Sequence, residues 1–197
     1  MMNRRRLEKL RDTLRSLRPC THVRKPGSRN GYTGTLEPTN SDTLCARAAG
    51  LPRIDTLDMR VEHGPHTDAN GESRVLGCIS GLAILMFPDD AAEAARTLPH
   101  AIVVCDASDV AQHVLGLEDE VADTLFNDHP DDPVTRSEPV TPEQAAQAVE
   151  HVLAGTSAMR IWDHATEKSP GSDNARDFLD RRDEARISHR LGRPFRF

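Results

Sequence analysis

The sequence has few aromatic residues and no long apolar run. Aromatic residues make up only 4% of its 197 residues, and no stretch of about 18 consecutive apolar residues occurs that could cross a bilayer. The basic start, Met1 to Arg6, continues into a mixture of Leu, Arg, Lys and Asp rather than the unbroken apolar run of a secretory signal. We therefore expect no membrane association and a cytoplasmic location, which is the host cytoplasm if a phage encodes the protein.

Several motifs of cofactor binding are also missing. Neither GxxxxGK[ST] nor GxGxxG occurs, so a phosphate-binding loop has no support. No pair of cysteines has the C-x-x-C spacing of a zinc ribbon or a redox site, and the cysteines are Cys20, Cys45, Cys78 and Cys105. We therefore expect no cofactor and reduced, buried thiols.

The net charge of −6 is distributed unevenly along the chain. Residues 1–25 carry a net charge of +7, residues 53–150 of −15 and residues 151–197 of +2. An acidic body repels a phosphate backbone, so nucleic acid could contact only the basic N-terminal arm, which has no aromatic side chain for base stacking. The interpretation we favour is that the basic helix pairs with the acidic body, within one chain or in a homodimer.

Apolar spacing and capping residues predict most of the helices. Residues 3–18 form a helix that Asn3 caps and Pro19 ends, with one apolar stripe suited to packing on another helix, namely Leu7, Leu10, Leu14 and Leu17. Further helices are predicted at 89–97, 108–116, 118–126 and 141–154. In the last of these, Thr141 and Gln144 form a capping box with Pro142 at the first helical position.

The most apolar stretch, residues 75–87, has thirteen residues, which is the right length for a buried central helix. Its small residues, Gly77, Ser80, Gly81 and Ala83, would let another backbone approach closely. Residues 62–74 are expected to form a polar loop. Residues 43–49 are expected to form one helical turn, and residues 101–105 a short strand.

These elements predict a mainly α fold: a small orthogonal bundle of five or six helices around residues 75–87, with room for one short strand pair. Four parts follow along the chain. They are a basic helix (1–18), an irregular insertion (19–53), a helical core (54–165) and a polar tail (166–197), in which residues 173–190 have the composition of a solvated helix.

A resemblance is carried by five short pieces. They are Leu57-Asp58-Met59, Cys78 to Ala83, the helix from Leu115 to Phe126, Thr141 to Ala146, and Trp162. Together with the leading Leu-x-x-Leu helix, they resemble a group of small uncharacterised proteins of phages and mobile elements, over residues 5–18 and 54–165. The chain departs from that group at Leu82, where an aromatic residue is common, and in its longer insertion and tail. The resemblance implies a phage or mobile-element context rather than a chemistry.

One catalytic alternative involves Cys78. The run Gly-Cys-Ile-Ser-Gly-Leu faintly resembles the Asp-Cys-Ser-Gly-Leu of the NlpC/P60 cysteine peptidases. This resemblance implies that Cys78 is the nucleophile, that His100 is its base and that Asp106 orients the imidazole ring. Only 22 residues separate Cys78 from His100, and apolar neighbours raise rather than lower a thiol pKa. We therefore favour a structural role for Cys78 at a helix crossing.

Two clusters have the residue types of a metal site. His63, His66 and Asp68 form an H-x-x-H-x-D pattern, but they fall in a predicted loop without a fixed second shell. The acidic loop with Asp128, Asp131 and Asp132 lacks the spacing and glycine of a calcium loop. We interpret both as solvated segments and expect no metal.

The leading functional hypothesis is a non-enzymatic interaction module that binds or inhibits a host or defence protein with a basic surface. Acidic surfaces steer basic partners toward themselves. The residues expected to form this surface are Asp106, Asp109, Glu118, Asp119, Glu120, Asp123, Asp128, Asp131 and Asp132. The alternative is the cysteine hydrolase.

Overall fold

Helices that pack on one another accompany one mixed sheet in the computed structural model, which describes residues 2–20, 35–68, 70–98, 106–127 and 140–163. Every described residue belongs to one compact unit, which falls within residues 1–165. The predicted strand at 101–105 and the predicted tail lie outside the described residues.

Seven α-helices occur in the described part of the chain. They are α1 (Arg4–Ser16), α2 (Ser41–Arg47), α3 (Ile79–Met86), α4 (Pro88–Thr97), α5 (Ala107–Leu115), α6 (Asp119–Phe126) and α7 (Pro142–Leu153). Short 3-10 turns follow at Ala48–Gly50 and Ala158–Arg160.

Five strands form the sheet: β1 (Arg18–Pro19), β2 (Thr35–Leu36), β3 (Thr56–Leu57), β4 (Gly64–Thr67) and β5 (Ser73–Gly77). Their order is β1-β3-β5-β4-β2. Strands β1, β3 and β5 run parallel, while β4 is antiparallel to both β5 and β2.

The expectation of a mainly α orthogonal bundle is therefore wrong, and the fold is α/β. Residues 64–67 and 73–77 form a hairpin where a polar loop was expected. Residues 75–77 belong to β5, so the central helix begins only at Ile79. The insertion contributes β2, and its predicted helical turn is α2. Strands this short offer too few residues for a recognisable alternation of apolar and polar positions.

Helix α1 forms as its leucine spacing predicts. Asn3 accepts a hydrogen bond from the Arg6 amide, and the helix packs on α7 with its leucine stripe fully buried at Leu7, Leu10 and Leu14. Burying each such leucine contributes roughly 1.5–3 kcal/mol. The prediction of a helix that packs on another helix is confirmed.

The basic helix also pairs with the acidic body within the chain. Arg6 bridges Asp90 at 2.6 Å, and Arg15 bridges both Glu143 at 3.2 Å and Glu150 at 3.0 Å on α7. Arg4 and Arg6 further donate to the carbonyls of Leu153 and Val114, the last turns of α7 and α5. Positive charge is favourable at these helix ends.

Local side-chain caps and a glycine set the ends of α5 and α7. The Asp106 side chain accepts from the Ser108 amide at 2.8 Å to begin α5, and Gly116, at φ 64°, ends that helix. Thr141 and Gln144 form the predicted capping box of α7. Each such cap contributes roughly 0.5–2 kcal/mol.

Two glycines let α3 approach the chain that precedes it. A Cβ at residue 81 would overlap the carbonyl oxygen of Glu62, and a Cβ at residue 77 would overlap the side chain of Ile54. The prediction of close backbone approach is confirmed at Gly81, whereas the nearest atoms at Gly77, which lies in β5, belong to a side chain. This contact seats the first turn of α3 against residues 54–62.

Replacing Gly81 by Ala should therefore destabilise the fold by about 3 kcal/mol or more, since the new methyl group meets backbone that cannot rotate away. The matched control is Gly50→Ala, where a Cβ meets nothing within 4 Å and the expected change in unfolding free energy is below about 1 kcal/mol. Urea denaturation of both variants measures the difference. Equal stability of the two would show that the Gly81 contact is not tight.

Candidate functional site

A groove of about 1070 Å³ lies beside α5 and α6 and extends along residues 152–159. Four acidic residues line it: Asp109, Glu118, Asp119 and Glu120. Apolar side chains line it as well, among them Leu117, Val121, Val152 and Met159. The groove therefore combines an apolar surface with a negatively charged margin.

The connection between α5 and α6 fixes the acidic side of the groove. Gly116 ends α5 and Asp119 begins α6, so only three residues separate the helices. The Gln112 side chain donates to the Leu117 carbonyl at 3.3 Å and to an Asp119 carboxylate oxygen at 2.7 Å, which holds this turn. Acidic residues in the first turn of α6 are favoured by the helix dipole.

The carboxylates of this surface repel one another. The pKa of Asp109 is raised, first by partial burial and then by the charges of Asp106, Asp119 and Asp123. Within the described residues no lysine or arginine forms an ion pair with Asp109, Glu118 or Glu120. The negative charge of these three is thus unpaired, in contrast to Glu143 and Glu150, which both form ion pairs with Arg15.

The apolar side of the groove is held by the chain after α7. Gly155, at φ 73°, turns the chain out of that helix. The carbonyl of Arg160 then lies 3.0 Å from the Nδ1 of His151, and Trp162 donates its indole N–H to the Thr124 carbonyl at 2.9 Å. Met159 directly precedes the first of these anchors, Arg160, and is 69% exposed. It is the only large apolar side chain that is exposed in the described part of the chain.

The structure brings together most of the predicted interaction residues. Six of them are exposed on α5 and α6 or at the starts of these helices, namely Asp106, Asp109, Glu118, Asp119, Glu120 and Asp123. Predicted members at 128, 131 and 132 lie outside the described residues. No signal in the sequence indicates that Met159 is exposed, whereas Ile161 and Trp162 close to it are buried.

Cys78, the nucleophile of the catalytic alternative, caps the start of α3 and is only 7% exposed. Its Sγ lies 3.1 Å from the Ser80 hydroxyl. Burial raises the pKa of the Cys78 thiol, against a smaller lowering by hydrogen bonds with Gly81 and Ser80. His100 lies outside the described residues, and the Asp106 carboxylate caps α5. This environment favours the neutral thiol and the structural interpretation.

Thiol labelling checks that interpretation. In the native full-length protein at neutral pH, Cys78 should react with iodoacetamide no faster than Cys45, which is buried too, because a neutral buried thiol is a poor nucleophile. Both thiols should react at once when urea unfolds the protein. Mass spectrometry of the labelled peptides distinguishes the sites. Selective labelling of Cys78 that disappears in His100→Ala would instead favour the hydrolase.

The H-x-x-H-x-D segment is not the solvated loop that we expected, because His63 and His66 are each only 1% exposed and His66 lies in β4. The ring of His63 is 1% exposed and lies 2.9 Å from both the Thr39 hydroxyl and the Pro52 carbonyl. Asp68 accepts from the amides of Asn70 and Glu72 and so shapes the hairpin turn. In the described ranges no group of three or more His, Cys, Asp or Glu residues could hold a metal ion.

Comparison of the chain with protein-family models, with curated proteins and with solved structures gives no match in any of the three. The resemblance to phage and mobile-element proteins therefore stays a prediction. Among the described helices, none has both the length and the apolar character needed to cross a membrane.

Asp109→Asn should stabilise the protein at neutral pH by less than about 1 kcal/mol, because Asp109 is largely solvated. A carboxyl whose pKa is higher in the folded state than in the unfolded state lowers the free energy of unfolding at any pH above its folded-state pKa. At a pH below its unfolded-state pKa it has no such effect. The gain should therefore vanish near pH 3, where the carboxyl is neutral in both states. Thermal unfolding from pH 3 to pH 8 measures it, with Asp89→Asn as the exposed control. A pH-independent gain would contradict this assignment.

Proposed function

We propose that this protein is a non-enzymatic interaction module, of phage or mobile-element type, that binds or inhibits a host or defence protein in the cytoplasm. The acidic surface of α5 and α6 carries the interaction. The observation that supports this most directly is the uncompensated negative charge around the groove, where Asp109 is held among three other carboxylates.

Uncompensated carboxylates favour a basic partner for a physical reason. Exposed acids repel one another in the free protein, and a cation brought by a partner relieves that repulsion. Complementary charge accelerates association and disfavours acidic competitors. Because the carboxylates are exposed, the attraction is screened by salt over about 8 Å at physiological ionic strength. A groove between the helices adds apolar contact that salt does not weaken.

The rival functions have less support. The cysteine hydrolase needs a thiolate, whereas burial raises the pKa of Cys78. Nucleic-acid binding would use the cations of α1, of which Arg6, Arg11 and Arg15 already form ion pairs with acidic side chains. Within the described residues, the groove carboxylates of Asp109, Glu118 and Glu120 have no comparable cationic partner.

Charge reversal on the groove tests the proposal. The double variant Glu118→Lys, Glu120→Lys should lose the partner that wild type captures from host lysate at low salt, with recovery falling about tenfold or more. Glu8→Lys, Asp89→Lys is the matched control, since it changes the charge equally at exposed positions that do not line the groove.

Captured proteins are quantified by mass spectrometry, and circular dichroism confirms that both variants fold. The control should retain the partner, and capture should weaken for wild type as salt is raised. Equal capture by the two double variants would contradict a role for this surface. So would the absence of any specific partner of wild type at low salt.

A further inference from the structure

We infer that the groove receives an extended segment of the partner in which an arginine or lysine adjoins a large apolar side chain. This inference rests on the proposed function and specifies the chemistry of what enters the site. It follows from the apolar lining, the open shape and the charged margin of the groove taken together.

The apolar lining calls for an apolar group in the partner. Met159 is 69% exposed and is held in place by the neighbouring anchors at Arg160 and Trp162. Leu117, Val121 and Val152 line the same groove. A purely polar or ionic partner would leave the Met159 side chain in water. An apolar side chain of the partner that packs on Met159 would remove the apolar surface of both side chains from water. Methionine is also a side chain that adapts to differently shaped partners.

The shape of the groove favours a chain segment over a small molecule. Many of its lining residues, including His113, Glu118, Glu120 and Met159, are exposed. Small-molecule sites enclose most of their ligand's surface, and a ligand in this groove would keep much of its surface in water. The convex surface of a folded partner would contact only the rim of the groove. An extended segment can place one side chain inside while its backbone follows the groove.

The charges fix which residues flank that apolar side chain. Asp109, Glu118, Asp119 and Glu120 all line the groove that Met159 lines. Lysine and arginine carry long apolar stems, so they can contact the lining while their cations reach the carboxylates. Arginine adds bidentate pairing with carboxylates.

Defined peptides test this inference on the full-length protein. The probe is a fluorescein-labelled peptide of about ten residues in which arginine alternates with leucine. Two further peptides keep its length: in one, serine replaces leucine, and in the other, glutamate replaces arginine. Spermine serves as a small cation without a chain, and cytochrome c serves as a folded basic protein. Fluorescence anisotropy and competition give the affinities.

The arginine–leucine peptide should bind most tightly, and Met159→Ser should weaken it about tenfold. The conservative variant Met159→Leu should keep wild-type affinity. Binding of the arginine–serine peptide should be weak and unaffected by Met159→Ser. Because Met159 is mostly exposed, neither variant should alter folding, which thermal unfolding checks.

Different failures have different meanings. If Met159→Ser leaves the affinity unchanged while Glu118→Lys, Glu120→Lys abolishes it, the acidic surface stands and the inference about an apolar residue falls. Tighter binding of spermine, cytochrome c or the arginine–serine peptide would also overturn the inference. Binding of the arginine–leucine peptide that neither set of substitutions alters would remove both the inference and the proposed role of this surface.

Discussion

The carbonyl group of Glu62 lies directly against the first turn of α3, and this contact exists because residue 81 carries no side chain. The same carbonyl lies near Gly77 at the end of β5. Ser41 at the start of α2 donates to the Glu62 side chain at 2.7 Å. One residue therefore joins the sheet, α2 and α3. Helix α5, which carries Asp109, packs on α3, so the groove depends on this contact too.

Signals confined to three or four residues predicted structure well. Asn3, Asp106 and Thr141 each cap a helix through a bond to a neighbouring amide, so the sequence contains both partners of the interaction. The sheet depends on partners far apart in the chain, such as Thr56 beside Leu76. No local pattern records such a pairing. The apolar run 75–87 predicts one helix because its thirteen residues suit a helix, and periodicity does not show that such a run divides into a strand and a helix.

The candidate site was predictable from charge and not from periodicity. The block of acids from Asp106 to Asp123 stands out in the sequence, and the structure gathers it on two adjacent helices. The exposure of Met159 could not be predicted from the sequence, because it depends on two tertiary contacts of the residues that follow it. His151 holds Arg160, and Thr124 holds Trp162. These anchors bury Ile161 and Trp162 and leave their neighbour Met159 outside.

Two sets of acidic residues in this chain differ in what neutralises them. Asp90, Glu143 and Glu150 are paired with arginines of α1, so their charge helps to join that helix to the body. Asp109 has no such pairing, and its pKa is raised mainly by partial burial and secondarily by the neighbouring acids. A carboxylate kept among like charges lowers the stability of the free protein. The first turn of α5, where Asp109 lies, favours an acid through the helix dipole. The dipole does not remove the repulsion from Asp106, Asp119 and Asp123, which a basic partner would relieve on binding.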